Sequence, residues 1–306
     1  MASPRPLLLV ALLAACSQTQ ARQVTFDFQG KVCYISGGTS GIGKAAVLAS
    51  AKAGCNVLFT GRNEERGAAV AKEATAAGGR ATFFKADATD EAQVKASVDA
   101  AVALGGLDFA FNNAGGGHEG DMAPPHALSV ADFRALTELN LIGVFAATKY
   151  QVEAMLAHGK GGSIVNCGSI AGSRAFPGIF AAYTTTKHAV AGLTKAFALS
   201  YATEGIRVNT IAPGFTPSEL TAGFVAAEAM GVKTVSNWHP AGRFLENAEV
   251  VDGLHWLWSD ASSFYNGQEL VLDSGLTQAM VTPTLYQQDV GAMMAALASA
   301  DPAEEL

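Results

Sequence analysis

The sequence carries a tyrosine and a lysine at a spacing that suits proton transfer, in the segment Tyr183-Thr-Thr-Thr-Lys187. Residues four apart lie on one face of a helix. A phenol normally ionises near pH ~10, and a neighbouring ammonium group favours the phenolate. Tyr183 beside Lys187 therefore suits an acid/base role near neutral pH. Ser169 comes fourteen residues earlier, at the end of an apolar run, where its hydroxyl can donate to a substrate oxygen.

A glycine-rich loop follows the first apolar run of the chain. Gly37 opens the pattern G-x-x-x-G-x-G, which ends at Gly43. Glycine allows a positive φ and close backbone approach, and a helix that begins near Gly41 directs its N-terminal amides and positive dipole end at this loop. A pyrophosphate group suits such a loop, and plain turn chemistry in a chain with 33 glycines is the alternative. The expected cofactor contacts are Gly37, Thr39, Ser40, Gly41, Ile42 and Gly43.

The segment after the second apolar run bears on the choice between the two nicotinamide dinucleotides. An NAD site places an acidic residue about 20 residues beyond the glycine loop, where it binds the ribose 2′-hydroxyl. This sequence has Thr60 at that point and Arg62 two residues later. A guanidinium suits a 2′-phosphate, so we expect NADP(H) rather than NAD(H). The alternative is a solvated arginine beside Glu64 and Glu65.

Two further strand ends carry small or polar residues that suit cofactor contacts. Asp87 can accept a hydrogen bond from an adenine amino group, or it caps the next helix, a role for which Asp90 competes. The sequence Asn112-Asn113-Ala114-Gly115 offers a floor of small residues, although asparagines also stabilise turns. The expected cofactor contacts here are Asp87, Ala88, Asn113, Ala114 and Gly115.

Alternating apolar runs and helical patterns position these residues. Continuous apolar strands that alternate with helices predict a doubly wound parallel sheet, the Rossmann-type α/β fold, in a single domain over about residues 25–278. In such a sheet, ligands bind beyond the carboxyl ends of the strands. The predicted strands are 31–36, 56–60, 81–85, 107–111, 163–167, 208–212 and 269–272, and the predicted helices are 43–53, 64–77, 90–104, 130–158, 183–203 and 249–259.

Composition and charge restrict the classes of function. The chain has 306 residues, 49% of them hydrophobic, which is enough apolar material for a sizeable core and excludes a disordered protein. Lys and Arg number 20 against 27 Asp and Glu, and the net charge of -7 gives no support to a nucleic-acid surface. No Cys/His spacing indicates a metal site. Cys33, Cys55 and Cys167 lie in apolar runs, and we expect buried, reduced thiols.

The two ends of the chain differ from the middle. Residues 1–24 are expected to be a signal-like or unstructured leader. Their apolar run 7–15 is too short to span a bilayer but suits a secretory signal, and the residues leading to Cys16 are similar to a lipoprotein cleavage site. Residues 279–306 are expected to form a helical extension. Cofactor supply favours a cytoplasmic protein, and a membrane-anchored or secretory-pathway location is the alternative.

Taken together and in this order, the motifs resemble those of the compact, single-domain short-chain dehydrogenase/reductases, over about residues 28–278. Asn140, in Leu139-Asn140-Leu141, matches a further catalytic position of that family. The resemblance implies an enzyme that interconverts a secondary alcohol and a ketone with NADP(H). The motifs that carry it are the 36–43 loop, Asn112-Asn113-Ala114-Gly115, Ser169, Tyr183-x-x-x-Lys187 and Pro213-Gly214.

The resemblance also implies a role for each matched residue. Tyr183 exchanges a proton with the substrate oxygen, and Ser169 positions that oxygen. Lys187 lowers the pKa of Tyr183 and binds the nicotinamide ribose, while Asn140 holds a water that links Lys187 to solvent. The spacing from Ser169 to Tyr183 is one residue longer than is usual in the family, and we expect the extra residue to bulge toward the substrate within 173–182. The implied contacts of the nicotinamide end are Pro213, Gly214, Thr216 and Ser218.

Apolar residues dominate the segments expected to face the substrate, among them Phe176, Phe180 and Phe215. We therefore expect a small apolar or cyclic alcohol or ketone as substrate, and we expect His118 and His239 to be solvated. The resemblance further implies a homo-oligomer, a tetramer or dimer, formed through the long helices. Two other functions remain open: a catalytically silent dinucleotide-binding sensor or scaffold, and a lyase or isomerase on the same fold.

Overall fold

A computed structural model describes residues 25–231 and 234–278 of the chain. The leader 1–24 and the extension 279–306 lie outside the described residues, so the expectations about them stay predictions. Within the described ranges, the helices lack the combination of length and apolarity that a membrane crossing requires.

The described residues form one parallel sheet with the strand order β3-β2-β1-β4-β5-β6-β7. The order reverses between β1 and β4, which is the switch point where ligands bind in sheets of this type. The predicted doubly wound α/β fold is confirmed. The strands are β1 (Val32–Ser36), β2 (Asn56–Gly61), β3 (Arg80–Lys85), β4 (Phe109–Asn112), β5 (Gly162–Cys167), β6 (Ile206–Pro213) and β7 (Glu269–Leu272).

Helices connect the strands and cover both faces of the sheet. One predicted helix, 130–158, is interrupted: α4 ends at Thr137, a π-helical turn spans Glu138–Ile142, and the next α-helix begins at Gly143. Single π turns inside helices occur frequently at functional sites, and this one carries Asn140. The α-helices are α1 (Gly41–Lys52), α2 (Glu64–Ala76), α3 (Glu91–Val102), α4 (Val130–Thr137), α5 (Gly143–His158), α6 (Ala181–Ser200), α7 (Ala222–Ala229) and α8 (Asn247–Trp258).

The apolar core lies on both faces of the sheet. Successive residues of a strand point to opposite faces, and in β1 both sets are buried: Ile35 packs in one cluster with Phe59 and Trp258, and Tyr34 packs in the other with Met155. Burial on both faces explains why the strands are continuous apolar runs rather than alternating ones.

Two of the cysteines are joined, which corrects the expectation that they are reduced thiols. Cys33 of β1 and Cys55, the residue before β2, form a disulfide with a Cα–Cα distance of 6.1 Å. β1 and β2 are adjacent parallel strands, and this register brings two residues 22 positions apart in sequence within disulfide range. Cys167 is a free thiol, as expected.

Candidate active site

Tyr183 and Lys187 lie on the first turns of α6, near the carboxyl end of β5. The Nζ atom of Lys187 is 5.5 Å from the centroid of the Tyr183 ring. The Lys187 side chain is buried, and its Nζ donates to the carbonyl oxygen of Cys167 at 2.8 Å. Burial raises the pKa of the Cys167 thiol, against the opposing effect of the Lys187 charge. The helical spacing therefore places an ammonium group beside the phenol ring, as the sequence predicts.

Asn140 reaches the same region from the π turn. Its Nδ2 donates to the carbonyl oxygen of Gly116 at 2.9 Å, and its Oδ1 accepts from the Gly116 N–H at 3.0 Å. Gly115 lies between Asn140 and Lys187, because a Cβ added there would lie 3.0 Å from Asn140 Oδ1 and 3.6 Å from Lys187 Nζ. Asn140 and Lys187 thus meet at the loop that follows β4.

Ser169 lies two residues after the end of β5 and immediately before the 3-10 turn Ile170–Gly172. Its Oγ accepts a hydrogen bond from the N–H of Ala171 at 3.1 Å. This contact uses the oxygen as an acceptor and leaves the hydroxyl proton for another partner. Ser169 can therefore donate to a substrate oxygen while its side chain is held in place.

The longer connection between Ser169 and Tyr183 ends in an unusual backbone conformation. Phe180, the residue before α6, has φ 61° and ψ 36° and lies in the left-handed region. Its ring lies 5.6 Å from that of Phe176 and 6.2 Å from that of Tyr183. The loop thus places the Phe180 ring next to the tyrosine, and the Phe176 ring next to Phe180.

The glycine loop has the properties that a pyrophosphate group requires. Gly37 and Gly41 have φ 65° and 52°, a backbone conformation that favours glycine. A Cβ at Gly37 would lie 2.9 Å from the Cα of Ala114, and a Cβ at Gly43 would lie 2.0 Å from the Gly37 oxygen. Ser40 precedes α1 but makes no side-chain cap, and the first turn of α1 carries no acidic residue. The loop residues therefore fit an anionic dinucleotide.

The residues after β2 and β3 are those expected to contact the adenosine end of the cofactor. Asp90 caps α3 by accepting from the Gln93 N–H at 3.0 Å, so Asp87 is not the cap. The pKa of Asp87 is lowered, chiefly by a hydrogen bond from the Thr89 N–H, and the charge of Arg62 contributes. Thr39 lies against Gly61, because a Cβ added at Gly61 would lie 2.6 Å from the Cγ2 atom of Thr39.

Hydrogen bonds join the loop after β4 to the end of β1 and the glycine loop. Asn113 donates from Nδ2 to the Gly37 oxygen at 3.1 Å, and the Ala114 N–H donates to Ser36 Oγ at 3.0 Å. Ala88 lies against Gly143, where an added Cβ would be 2.4 Å from the Ala88 oxygen. These contacts fix the loops after β1, β3 and β4 relative to one another.

The segment after β6, expected to contact the nicotinamide end, lies near the glycine loop. The Gly214 N–H donates to the Leu272 oxygen at 2.8 Å, and the Ser218 N–H donates to Thr221 Oγ1 at 3.0 Å. A Cβ at Gly41 would have Ser218 Cβ as its nearest atom, at 3.8 Å, so this segment reaches back to the glycine loop. Pro213 ends β6 at the start of this segment, and Thr216 within it is buried.

His239 is buried, which corrects the expectation that it is solvated. Its Nε2 accepts from the Phe215 N–H at 3.1 Å, and its Nδ1 lies 2.8 Å from the Arg243 oxygen. A Cβ at Gly214 would lie 2.3 Å from Nε2, so the imidazole packs directly against the backbone. His239 thus supports the segment expected at the nicotinamide end. His118 is exposed, as expected.

Comparison with known proteins identifies the family. A family model described as Enoyl-(Acyl carrier protein) reductase matches residues 37–277. The 2,5-dichloro-2,5-cyclohexadiene-1,4-diol dehydrogenase of Sphingobium indicum is 40% identical over 82% of this chain and 98% of its own. The chain belongs to the short-chain dehydrogenase/reductase family. Cyclohexanol dehydrogenase of an Acinetobacter strain is also 40% identical to this family member, over 82% of this chain and 96% of the relative.

Solved structures of short-chain dehydrogenase/reductases share the fold. One from Mycobacterium marinum is 33% identical, with a TM-score of 0.77 over 83% of this chain and 98% of that chain. A gluconate 5-dehydrogenase from Burkholderia cenocepacia, in complex with NADP and tartrate, is 36% identical, with a TM-score of 0.76 over 83% and 98%. This short-chain dehydrogenase/reductase is an oxidoreductase that acts on CH–OH groups with a nicotinamide dinucleotide cofactor.

An aromatic row extends from Tyr183 through the segments expected to face the substrate in this short-chain dehydrogenase/reductase. Beyond Phe180 and Phe176, the ring of Phe215 lies 6.0 Å from that of Phe176, and Trp238 lies 5.5 Å from Phe215. The segments that the sequence predicts to face the substrate include the three phenylalanines and the stretch 220–239, which contains Trp238. The loop after β4 adds a buried aspartate, Asp121, which contacts the start of α6 from 61 residues away; no sequence spacing could indicate that contact.

Proposed function

We propose that this short-chain dehydrogenase/reductase interconverts an apolar cyclic secondary alcohol and its ketone with NADP(H), and that Tyr183 is its acid/base. The observation that carries the proposal is the buried Lys187, held 5.5 Å from the Tyr183 ring and bound to the end of β5. The Nζ atom of Lys187 and the Oδ1 atom of Asn140 both lie close to Gly115. The side chains of Tyr183, Lys187 and Asn140 therefore lie close together.

Each of these residues has a chemical task at the substrate oxygen. In reduction, the phenol of Tyr183 gives its proton to that oxygen, and in oxidation the phenolate takes the hydroxyl proton. Ser169 donates a hydrogen bond that positions the oxygen. Lys187 provides positive charge beside the phenol, and Asn140 holds a water that links Lys187 to solvent. The dinucleotide, when bound, supplies or accepts the hydride.

The preference for NADP(H) is supported by Arg62. The charge of Arg62, which follows β2, contributes to the lowered pKa of Asp87, which follows β3, so the guanidinium lies near residues expected to contact the adenosine end. Thr60, two residues before Arg62, offers no carboxylate for a ribose 2′-hydroxyl. A guanidinium there suits the 2′-phosphate that distinguishes NADP(H) from NAD(H).

A cyclic, apolar substrate is supported by the aromatic row and by the relatives. Flat aromatic faces such as those of Phe176 and Phe215 bury apolar surface without demanding hydrogen bonds. Relatives with 40% identity are named for alcohols on six-membered carbon rings, cyclohexanol and a dichlorocyclohexadienediol. We infer that this chain takes a ring ketone or ring alcohol of similar size.

A turnover assay with Tyr183→Phe tests the proposed function. The substrates are cyclohexanone and larger ring ketones, with an acyclic polyol-derived ketone as comparison, each with NADPH. We expect Tyr183→Phe to lower kcat by about 100- to 10,000-fold while NADPH binding persists. Tyr201→Phe, at the end of the same helix, is the matched control and should keep full activity. Full activity in Tyr183→Phe contradicts the proposal, and tight NADPH binding without turnover of any ketone favours a silent sensor.

The organisation of the whole chain forms part of the proposal. We assign residues 25–278 as the catalytic domain, with a leader at 1–24 and an extension at 279–306. A cytoplasmic location is supported by the supply of NADP(H), whereas the Cys33–Cys55 disulfide favours the oxidising alternative. Mass spectrometry of the native amino terminus distinguishes the two locations.

A further inference from the structure

A buried aspartate binds the N-terminus of the helix that carries Tyr183. Asp121 lies in the 3-10 turn Glu119–Met122, in the segment after β4, and is 0% exposed. Its Oδ1 accepts from the N–H of Ala182 at 2.9 Å, and its Oδ2 accepts from the N–H of Tyr183 at 2.8 Å. Both carboxylate oxygens are therefore engaged by the backbone at the acid/base residue.

The start of α6 depends on this contact because the helix has no cap of its own. The first N–H groups of a helix lack intrahelical partners, and Phe180, at the cap position, makes no side-chain cap. The N–H of Phe180 in turn donates to the backbone oxygen of Asp121 at 2.7 Å. A carboxylate also suits the positive end of the helix dipole. Asp121 therefore determines where α6 begins and how its first turn is oriented.

The same loop holds the other polar residues of the site. Asn113 binds the glycine loop through the Gly37 oxygen, and Gly116 exchanges two hydrogen bonds with Asn140. Asp121 follows within the same segment. One stretch of chain thus connects the dinucleotide floor, the Asn140 side chain and the backbone of Tyr183.

We propose that Asp121 is a positioning residue that fixes the Tyr183 phenol relative to Ser169 and Lys187. The proposal rests on the proposed role of Tyr183. A carboxylate is required because it offers two acceptors and no donor. An asparagine would keep one acceptor but place its NH₂ group against an N–H, so one of the two hydrogen bonds to the start of α6 would be lost. Movement of the first turn of α6 then misplaces the phenol without disturbing the glycine loop.

Steady-state kinetics of Asp121→Asn test this role. We expect kcat to fall by about 10- to 100-fold, the effect of an acid/base group misplaced by roughly 1 Å, and the KM for the ring ketone and the Kd for NADPH to stay within about twofold. The solvent deuterium isotope effect on kcat should rise because proton transfer becomes slower. Ser129→Ala is the control: it removes the cap of α4, where Ser129 Oγ accepts from the Asp132 N–H at 3.0 Å, and should lower Tm without changing kcat.

Amide hydrogen exchange in the wild-type protein tests the two hydrogen bonds from α6 to Asp121 even if Asp121→Asn does not fold. Electron-transfer fragmentation resolves the N–H groups of Ala182 and Tyr183, which should be protected although they are in the first turn of a helix. Rapid exchange at both positions overturns the proposal, as does an unchanged kcat in folded Asp121→Asn. Failure of the proposed function is recognised separately, because it leaves Tyr183→Phe fully active whatever the exchange shows.

Discussion

Lys187 donates a hydrogen bond from Nζ to the carbonyl oxygen of Cys167, the last residue of β5, at 2.8 Å. A buried ammonium requires such a partner, and this one ties α6 to the carboxyl end of the sheet. The position of the positive charge beside Tyr183 is therefore set by two elements rather than by the flexible lysine chain alone.

Replacement of Lys187 by methionine should abolish most of the activity. Methionine matches the length of the side chain but has neither the charge nor the donor, so we expect kcat to fall by about 100-fold or more. Lys195→Met is the matched control, because Lys195 is exposed on the same helix and should tolerate the change. Initial rates with NADPH and a ring ketone give the comparison. Comparable activity in the two variants contradicts a role for the ammonium.

Arg62 should determine the cofactor preference. We expect Arg62→Ala to lower kcat/KM for NADPH by about 10- to 100-fold, the value of a lost charge-assisted hydrogen bond, and to leave kcat/KM for NADH nearly unchanged. Arg80→Ala, which removes an exposed arginine at the opposite end of β3, should affect neither cofactor. If wild-type enzyme uses NADH better than NADPH, the assignment of the 2′-phosphate to Arg62 is wrong.

The strand ends and the glycine loop could be predicted from the sequence because they are local patterns. Each buried strand of a parallel sheet is an apolar run, and the residues after it lie at the ligand-binding edge. The loop from Gly37 to Gly43 and the Tyr183–Lys187 pair need only short-range geometry. The alternating pattern predicts the parallel sheet, whereas the order of its strands is known only from the structure.

The supporting contacts could not be predicted because they join distant segments. Asp121 meets Ala182 and Tyr183 only once β4 and β5 are neighbours in the sheet. His239 is a polar residue in an apolar segment, and only the folded chain shows that it accepts from the Phe215 N–H. The π turn at Asn140 has the same helical periodicity as its flanks, so the pattern predicts one uninterrupted helix.

Stability should fall in mild acid because of a buried histidine. Burial lowers the pKa of His255 to about 4 from its ordinary 6.5, and its Nε2 lies 2.9 Å from Ser50 Oγ. The folded state thus favours the neutral ring. The resulting stabilisation is complete above pH 6.5 and is lost as the pH falls from 6.5 to about 4; a shift of this size corresponds to about 3 kcal/mol.

Urea unfolding at a series of pH values measures this contribution. His255→Gln keeps a group that can hydrogen-bond Ser50 but does not titrate, so its free energy of unfolding should depend less on pH between 6.5 and 4. The exposed His126 provides a control, since His126→Gln should retain the wild-type dependence. Equal slopes in all three proteins would show that His255 is not the titrating group.

The Cys33–Cys55 disulfide should be detectable by differential alkylation. In denatured protein without reductant, we expect Cys167 to be alkylated and Cys33 and Cys55 to stay unmodified until a reductant is added. A loop of this length corresponds to a stabilisation of about 3 kcal/mol, so reduction should lower Tm. The single variant Cys33→Ser should expose Cys55 to the reagent. Alkylation of both cysteines in the denatured, unreduced protein contradicts the disulfide.

An apolar strip on the long helices should mediate self-association. Ile142 and Phe145 lie about one turn apart and are 45% and 43% exposed, and the Phe145 ring is 6.1 Å from that of Phe197 on α6. Contiguous exposed apolar surface of this kind marks interaction sites. We expect the wild-type protein to be a dimer or tetramer by light scattering after size exclusion, and Phe145→Glu to reduce the assembly because a carboxylate cannot be buried there unpaired.

The control for this prediction is Val102→Glu, at the last residue of α3. It introduces the same charge at a residue that is 37% exposed and should leave the mass unchanged. A monomeric wild-type protein, or an oligomer indifferent to Phe145→Glu, places the interface elsewhere.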